Sequence, residues 1–488
     1  MRRRLGGVWV RVRKSPAVVV LLALVGAYVV IFGWLTWRQQ SNYGTFGFDM
    51  GIFDQGIWLL SRFHDPFVTV RGLNFFGNHV NPNVALLVPF YWLGAGPHFL
   101  YLIETVALAA GAIPVWLLGR DAFGDRWAAV VLAAAYLLFP ALEWINWWHF
   151  HPEALAVTPL LFAVWLATKH HWGWYAVCVV LVLTCKEDAP LTIIALGALV
   201  AVRNSRKAGA VTAAAGLAWL VIALKVVIPH ATGYAEPFYI GRAAPLGRTP
   251  VQIVFNTVVH PSRLYDLARQ PDRRTYYRRL LLPLALVPLT SIGGVVLALP
   301  QALVNTVSSQ ATAHSIRFHY SSLIIPGLFV AVVDSLRRLR SHPMARWVVV
   351  MVIAAASVAA NVAWSPSPIG DVFHSGIWAL HDDQRAAKDT AVHMVPANAA
   401  VSASYSLVPH LTHRVRIYEF PNPWHVGNWG IDDEHPPNPS VVDYLVLDLQ
   451  LNIDQQPLVA RLTGPGGQFK VIFHDGTILV ARRQRAGS

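Results

Sequence analysis

The stretch Phe48-Asp49-Met50-Gly51-Ile52-Phe53-Asp54-Gln55 follows the first long apolar run by about a dozen residues. It sets two carboxylates, five positions apart, among aromatic and aliphatic side chains just beyond a candidate membrane span. A carboxylate placed there is within reach of a substrate, and partial desolvation near lipid raises its basicity. That pattern suits a catalytic base acting on a lipid-linked substrate, so Asp49 and Asp54 are the candidate catalytic residues, with a cation-ligand role as a second reading. The plain structural alternative is that Asp49 caps an interfacial helix over 50–60, or that both charges are solvated at the membrane surface. Five-residue spacing places them loosely on one side of a helix, not in tight contact.

Composition agrees with a membrane setting. The chain has 488 residues, of which 55% are hydrophobic and 13% charged; a soluble protein carries roughly a quarter charged residues. Nineteen Trp and fifteen Tyr suit aromatic belts at the membrane interface. The net charge of +13 is better read as topogenic and lipid-facing Lys and Arg than as a nucleic-acid footprint, and no nucleic-acid partner is expected. Cys178 and Cys185 lie two helical turns apart in one apolar run, which reads as packing and not as a disulfide or metal framework. The run over 16–37 is too long for a signal-peptide core and reads as a retained first span.

Spans are expected near 17–37, 97–119, 126–142, 152–168, 172–186, 189–203, 208–228, 275–291, 292–308, 320–337 and 346–364. Eleven crossings put the amino terminus, with Arg2, Arg3, Arg4, Arg11, Arg13 and Lys14, in the cytoplasm, and the carboxyl terminus outside it. The turns 120–126, 169–171, 203–207 and 337–346 are then cytoplasmic, and each is basic. The loop 229–275 and the start of the next span carry Arg263, Arg269, Arg273, Arg274, Arg278 and Arg279 on the outside, so either they bind an anionic group or the count is off by one. The run 84–93 reads as a re-entrant or interfacial helix, with a further crossing as the alternative. Residues 1–364 thus form a membrane domain with a long first external loop over 38–96. After the linker Ser365-Pro366-Ser367-Pro368, residues 370–488 read as a small soluble α/β domain outside the cytoplasm. Its strands are expected at 399–403, 415–420, 444–449, 469–473 and 477–481, with a tight turn at Asp475-Gly476 and helices at 382–394 and 454–462.

Further polar clusters fall on the same external side. Phe75-Phe76-Gly77-Asn78-His79 offers His79 as a contact for phosphate or a sugar hydroxyl; a polar loop turning the chain back is the alternative. The stretch 144–153, W-I-N-W-W-H-F-H-P-E, combines aromatics suited to stacking on sugar rings with His149, His151 and Glu153. An aromatic belt explains its Trp residues but not a Glu at the mouth of a span. A metal site from His149, His151 and Glu153 matches no established spacing. Lys186-Glu187-Asp188 forms a charged turn in which Lys186 is placed to hold a lipid phosphate. In His314-Ser315-Ile316-Arg317-Phe318-His319-Tyr320, Arg317 and His319 are placed to grip a phosphate, Arg in bidentate fashion, against a topogenic loop with an interfacial Tyr320. No phosphate-binding P-loop, nucleophile elbow or zinc-helix motif occurs. Independent structural roles would scatter such clusters over both membrane sides; their convergence points to one external active site.

The pattern F-D-M-G-I-F-D-Q (48–55), F-G-N-H (76–79), H-P-E (151–153), K-E-D (186–188) and H-Y (319–320) resembles a widespread family of prokaryotic polytopic membrane proteins grouped with the GT-C glycosyltransferases, over about residues 20–480. The resemblance implies a mainly α, polytopic helical membrane protein with about eleven spans. It implies transfer of a sugar from a polyprenyl-phosphate donor to a glycan, lipid or protein of the cell envelope, outside the cytoplasmic membrane. In such enzymes the first acidic residue after span one is often the base; that role falls on Asp49, with Asp54 as competitor. Basic residues hold the donor phosphate, here Lys186, Arg317 and His319, and His79, His151, Glu153, Glu187, Asp188 and Tyr320 complete the substrate-binding set. No metal ligand set and no cofactor are expected, since GT-C enzymes using lipid monophosphates often need no metal; a divalent cation stays open. The rival functions are a non-enzymatic transporter or flippase of a lipid-linked sugar, and an envelope-binding scaffold.

Overall fold

The computed structural model describes residues 15–234, 246–247, 249–376, 381–431 and 436–484. The basic amino-terminal segment lies outside the described residues. The described chain is dominated by apolar helices. Five are long and apolar enough to cross a membrane: Pro16–Ser41, Pro97–Phe123, Arg206–Thr232, His319–Arg337 and Pro343–Trp364. A sixth arises if Arg126–Leu137 and Pro140–Trp147 count as one span bent by 45°. The bend falls at Pro140, which has no N–H to continue the helical ladder. Pro152–Thr168, Trp172–Leu183, Ala189–Arg203 and Ile292–Val307 are shorter apolar helices.

Ten of the eleven expected runs therefore have a helical counterpart. The exception is 275–291. There, helix Pro271–Leu281 gives way to two short 3-10 turns, Leu282–Leu284 and Val287–Thr290. Pro283 and Pro288 interrupt the ladder, and Ala285 and Leu286 between them adopt positive φ of 52° and 61°. The 84–93 run is a 3-10 turn, Pro82–Leu87, followed by the short helix Val88–Trp92.

The chain divides into two compact units. The first comprises Met1–Leu35, Leu102–Val226 and Ala235–Gly376. Close helix contact in it rests on small residues. A Cβ on Gly197 would lie 2.7 Å from the Ala213 nitrogen, and one on Gly209 would lie 2.3 Å from the Ala201 nitrogen, so Ala189–Arg203 and Arg206–Ile222 touch backbone to backbone. Gly294 and Gly327 do the same for Ile292–Val307 and Ile324–Arg337. The expected linker is instead part of this unit. Ser365 and Ser367 are buried. Ser365 Oγ bonds the Glu143 carboxylate, and the Trp147 indole donates to the Pro366 carbonyl at 3.1 Å. A segment rich in Ser and Pro reads as flexible only when its hydroxyls lack partners, and here buried Glu143 and Asn361 supply them.

The second unit comprises Thr36–Tyr101, Val227–Tyr234 and Ile377–Ser488. Its first-loop part carries a hairpin of β1 (Phe67–Val68) and β2 (Leu73–Asn74). Its carboxyl-terminal part forms a five-stranded sheet of β3 (Val401–Ala403), β4 (Ile417–Glu419), β5 (Tyr444–Asp448), β6 (Phe469–Asp475) and β7 (Ile478–Arg483), in the order β4-β3-β5-β7-β6. β3 runs parallel to both β4 and β5, while β5–β7 and β7–β6 are antiparallel. The turn at Asp475-Gly476 joins β6 to β7, with Gly476 at φ 57°. Helices Arg385–His393 and Gln456–Thr463 accompany the sheet, whose apolar core includes Tyr418, Leu445, Leu447, Leu458 and Phe469.

Candidate functional site

In the second unit the F-D-M-G-I-F-D-Q motif docks on the sheet region. Gly47 donates its N–H to the Tyr405 carbonyl at 2.8 Å, and a Cβ at Gly47 would meet Glu419 and Val408 within 2.9 Å. Only a glycine allows that approach. Gln55 bonds Thr69, and Thr69 in turn bonds the backbone of Ile417 through both its N–H and its carbonyl at 2.8 Å. The motif is thus partly an anchor.

Its two carboxylates end in opposite settings. Asp49 sits in a single π-helical turn, Gly47–Gly51, half-buried; the N-cap position belongs to Phe46, so Asp49 does not cap the helix. Asp54 is fully buried on helix Ile52–Ser61. It accepts from Tyr91 Oη at 2.6 Å and from Thr412 Oγ1, and faces His413 Nε2 at 3.2 Å. Burial works to lower the His413 pKa, but the Asp54 charge and hydrogen bond outweigh it and raise it. Close to Asp49 lies Glu419 at the end of β4. Burial and the Asp49 charge push the Glu419 carboxyl up to about 7. His79 follows the short helix Phe75–Asn78, half-buried, in this same unit.

The first unit brings together three turns far apart in sequence. Glu153 comes from the 3-10 turn Pro152–Ala156. Lys186 and Asp188 come from the break between Trp172–Leu183 and Ala189–Arg203, and His319 and Tyr320 from the turn His319–Ser321. Lys186 Nζ donates to Glu153 Oε1 at 2.9 Å, with Asp188 Oδ2 at 3.9 Å. His319 Nε2 meets the same Glu153 oxygen at 3.3 Å. The His151 and His319 rings stack at 3.6 Å, and Lys186 lies over the Tyr320 ring at 5.3 Å. His151 Nδ1 donates to the His149 carbonyl at 2.8 Å, which leaves Nε2 as the ring's acceptor. Lys186, Glu187, Glu153, His151 and His319 are all buried. Burial works to lower the Lys186 pKa, but Asp188, Glu153 and Glu187 together outweigh it and raise it, so the ammonium stays charged at neutral pH. A small cavity lined by Lys186, Asp188, Gln301, His319 and Tyr320 opens beside the cluster.

Arg317 is exposed and lies 5.1 Å over the Trp144 ring. Burial, and to a lesser extent the Arg317 charge, lower the pKa of Arg279, and neither arginine has an ion pair among the described residues. Arg273, by contrast, is buried and donates to the Thr306 and Ser308 carbonyls at 2.8 Å, a structural use of one arginine of the basic loop. His314 is likewise structural, bonding the Asn305 carbonyl and Asp272. Neither Cys178 nor Cys185 is in a disulfide. Among the described residues no group of three or more His, Cys, Asp or Glu is arranged to hold a metal ion; Glu153 is engaged by Lys186 and His319 instead.

Glu419, His413 and Tyr91 escaped the sequence reading. Nothing in an isolated strand-end Glu or loop His marks it as a partner of a carboxylate more than 350 positions away, the separation of Asp54 from Thr412 being 358.

A largely helical chain with several apolar helices long enough to cross a membrane and a small carboxyl-terminal sheet domain is a membrane protein, and its likeness over nearly its whole length to the ArnT structures gives it a GT-C-like fold. The chain belongs to the family described as predicted membrane protein (DUF2079), which matches residues 40–462. No curated protein matches the sequence. Among solved structures, ArnT from Cupriavidus metallidurans in the apo state is similar, with a TM-score of 0.57 at 12% identity, covering 96% of this chain and 98% of that one. The structure of the same protein bound to undecaprenyl phosphate aligns with a TM-score of 0.51 at 10% identity, covering 95% and 98%.

Proposed function

We propose that this protein is a membrane glycosyltransferase that moves a sugar from a polyprenyl-phosphate donor to a glycan, lipid or protein of the cell envelope, on the extracytoplasmic side. The observation that carries this reading is the buried Lys186 ammonium, kept charged by carboxylates in an otherwise apolar helical unit. A buried ion cluster is costly unless it is used, and a fixed cation is what a departing lipid phosphate needs. The undecaprenyl phosphate bound to ArnT supports the donor class.

In the reaction, an acceptor hydroxyl oxygen bonds to the anomeric carbon, and the bond from that carbon to the phosphate oxygen breaks. The electron pair leaves on the phosphate, and the hydroxyl proton passes to a base. We assign the base to Asp49, because Asp54 is fully buried and already engaged by Tyr91, Thr412 and His413. Glu419, half-protonated near pH 7 beside Asp49, is suited to take the proton onward. Lys186, with Arg279 and Arg317, supplies positive charge for the phosphate, Arg in bidentate geometry. His151, His319, Tyr320, Glu153, Glu187, Asp188 and His79 are the candidate sugar and phosphate contacts.

The direct test is binding of undecaprenyl phosphate to the protein in nanodiscs. Replacing Lys186 with Met should weaken it by roughly tenfold or more, the worth of one charge-assisted hydrogen bond. Unchanged binding would remove the main support. Asp49→Asn separates transfer from transport: a transferase loses turnover and keeps the lipid, whereas a flippase is indifferent.

A further inference from the structure

Helix Ala189–Arg203 starts beside Lys186 and ends, about 22 Å away by the helical rise, at a second feature of the first unit. There the turns after Pro97–Phe123, Val157–Thr168, Ala189–Arg203 and Ile324–Arg337 converge on a cavity of about 810 Å³. Its floor is apolar, with Leu118, Val164, Leu199 and Val333 among its residues, and its rim is basic. Five cations, Lys169, Arg203, Arg337, Arg338 and Arg340, face only two carboxylates, Asp121 and Asp334. Both carboxylates are already engaged. Asp121 is held by Arg120 at 2.7 Å, Lys169 at 2.8 Å and the Trp165 indole at 3.0 Å. Asp334 is held by Arg203 at 2.7 Å and Ser291 at 3.1 Å. Arg337, Arg338 and Arg340 have no ion pair among the described residues, and Arg338 makes one bond, to the Thr290 carbonyl at 2.8 Å.

Topogenic charge explains basic turns but requires no cavity beneath them. An apolar floor under surplus guanidinium groups is complementary to an amphiphile with an anionic head. We propose that this cavity is a binding site for an acidic phospholipid, its phosphate on Arg337, Arg338 and Arg340 and an acyl chain on the apolar floor. The site is separate from the Lys186 cluster and does not depend on the proposed transfer reaction.

The test is thermal unfolding of the purified full-length protein in nanodiscs of phosphatidylglycerol or phosphatidylcholine, together with titration of phosphatidylglycerol into the phosphatidylcholine discs. Phosphatidylglycerol should raise Tm over phosphatidylcholine. The combined R337Q, R338Q and R340Q substitutions should weaken the titrated effect roughly a hundredfold, each basic residue at an anionic surface being worth about a factor of five. Because these charges also direct insertion, two further variants keep the charge. R337K, R338K and R340K together should fall between wild type and the glutamine variant, and Ala122→Phe should block the cavity and abolish the effect. Equal Tm in the two lipids, or an effect that survives Ala122→Phe, would overturn the proposal. So would inorganic phosphate reproducing the whole shift in phosphatidylcholine discs, which would assign the site to a free anion.

Discussion

Asp49 and Asp54 stand five residues apart, yet one is half-buried and the other is sealed among donors. Their substitutions should therefore fail differently. Asp49→Asn should lower turnover by about 10²–10⁴-fold, the usual contribution of a positioned base, with undecaprenyl phosphate binding retained. Asp54→Asn should leave the Tyr91, Thr412 and His413 contacts mismatched and lower stability by about 1–3 kcal/mol, read as an earlier thermal transition. Both Glu419 and His413 have raised pKa values, so each binds protons more tightly in the folded chain than in the unfolded one. Their contribution is fully present below the unfolded values and is lost as pH rises through the folded ones. For Glu419 that window runs from the ordinary carboxyl value of 4.5 to about 7. Stability should therefore fall across it, and Glu419→Gln should flatten the decline in denaturation measured from pH 4.5 to 8. An unchanged slope in that variant would show that Glu419 is not the group titrating.

At the level of elements, helix contacts in the first unit depend on glycine. A side chain at Gly294 would drive into the Ala331 backbone at 2.3 Å. Gly294→Val should thus separate Ile292–Val307 from Ile324–Arg337 and cost at least the 1–3 kcal/mol of overpacking. The expected result is loss of the monodisperse peak in detergent size exclusion, while the exposed Gly173→Ala, with open space around it, should behave as wild type. Most elements were legible because their signals are local. Apolar runs gave helices, and the strands of the carboxyl-terminal sheet lie within about two residues of the positions read from β-branched and aromatic patterning. Two elements were misread for physical reasons. In 275–291 the mean apolarity hid two prolines and two positive-φ residues that break the helix. In 365–368, Ser and Pro composition said nothing of the buried Glu143 and Asn361 that hold the segment.

At the scale of the molecule, the candidate site was legible in part. Lys186, Glu153, Asp188, His319 and Tyr320 stood out because charge at the mouth of an apolar run is conspicuous, and the structure gathers them into one cluster. The turns read as basic and cytoplasmic are likewise gathered around one cavity at the other end of helix Ala189–Arg203. What stayed illegible was pairing across long sequence separation, as between Asp49 and Glu419 or Asp54 and His413, where neither partner carries a local mark. We propose that the Lys186 cluster serves to hold a lipid phosphate. A structure of the protein in nanodiscs with undecaprenyl phosphate bound would decide this. Phosphate oxygens should lie within about 3 Å of Lys186, Arg279 or Arg317, the reach of a charge-assisted hydrogen bond. Ordered lipid whose phosphate lies away from all three cations, with the Lys186–Glu153 pair undisturbed, would contradict it.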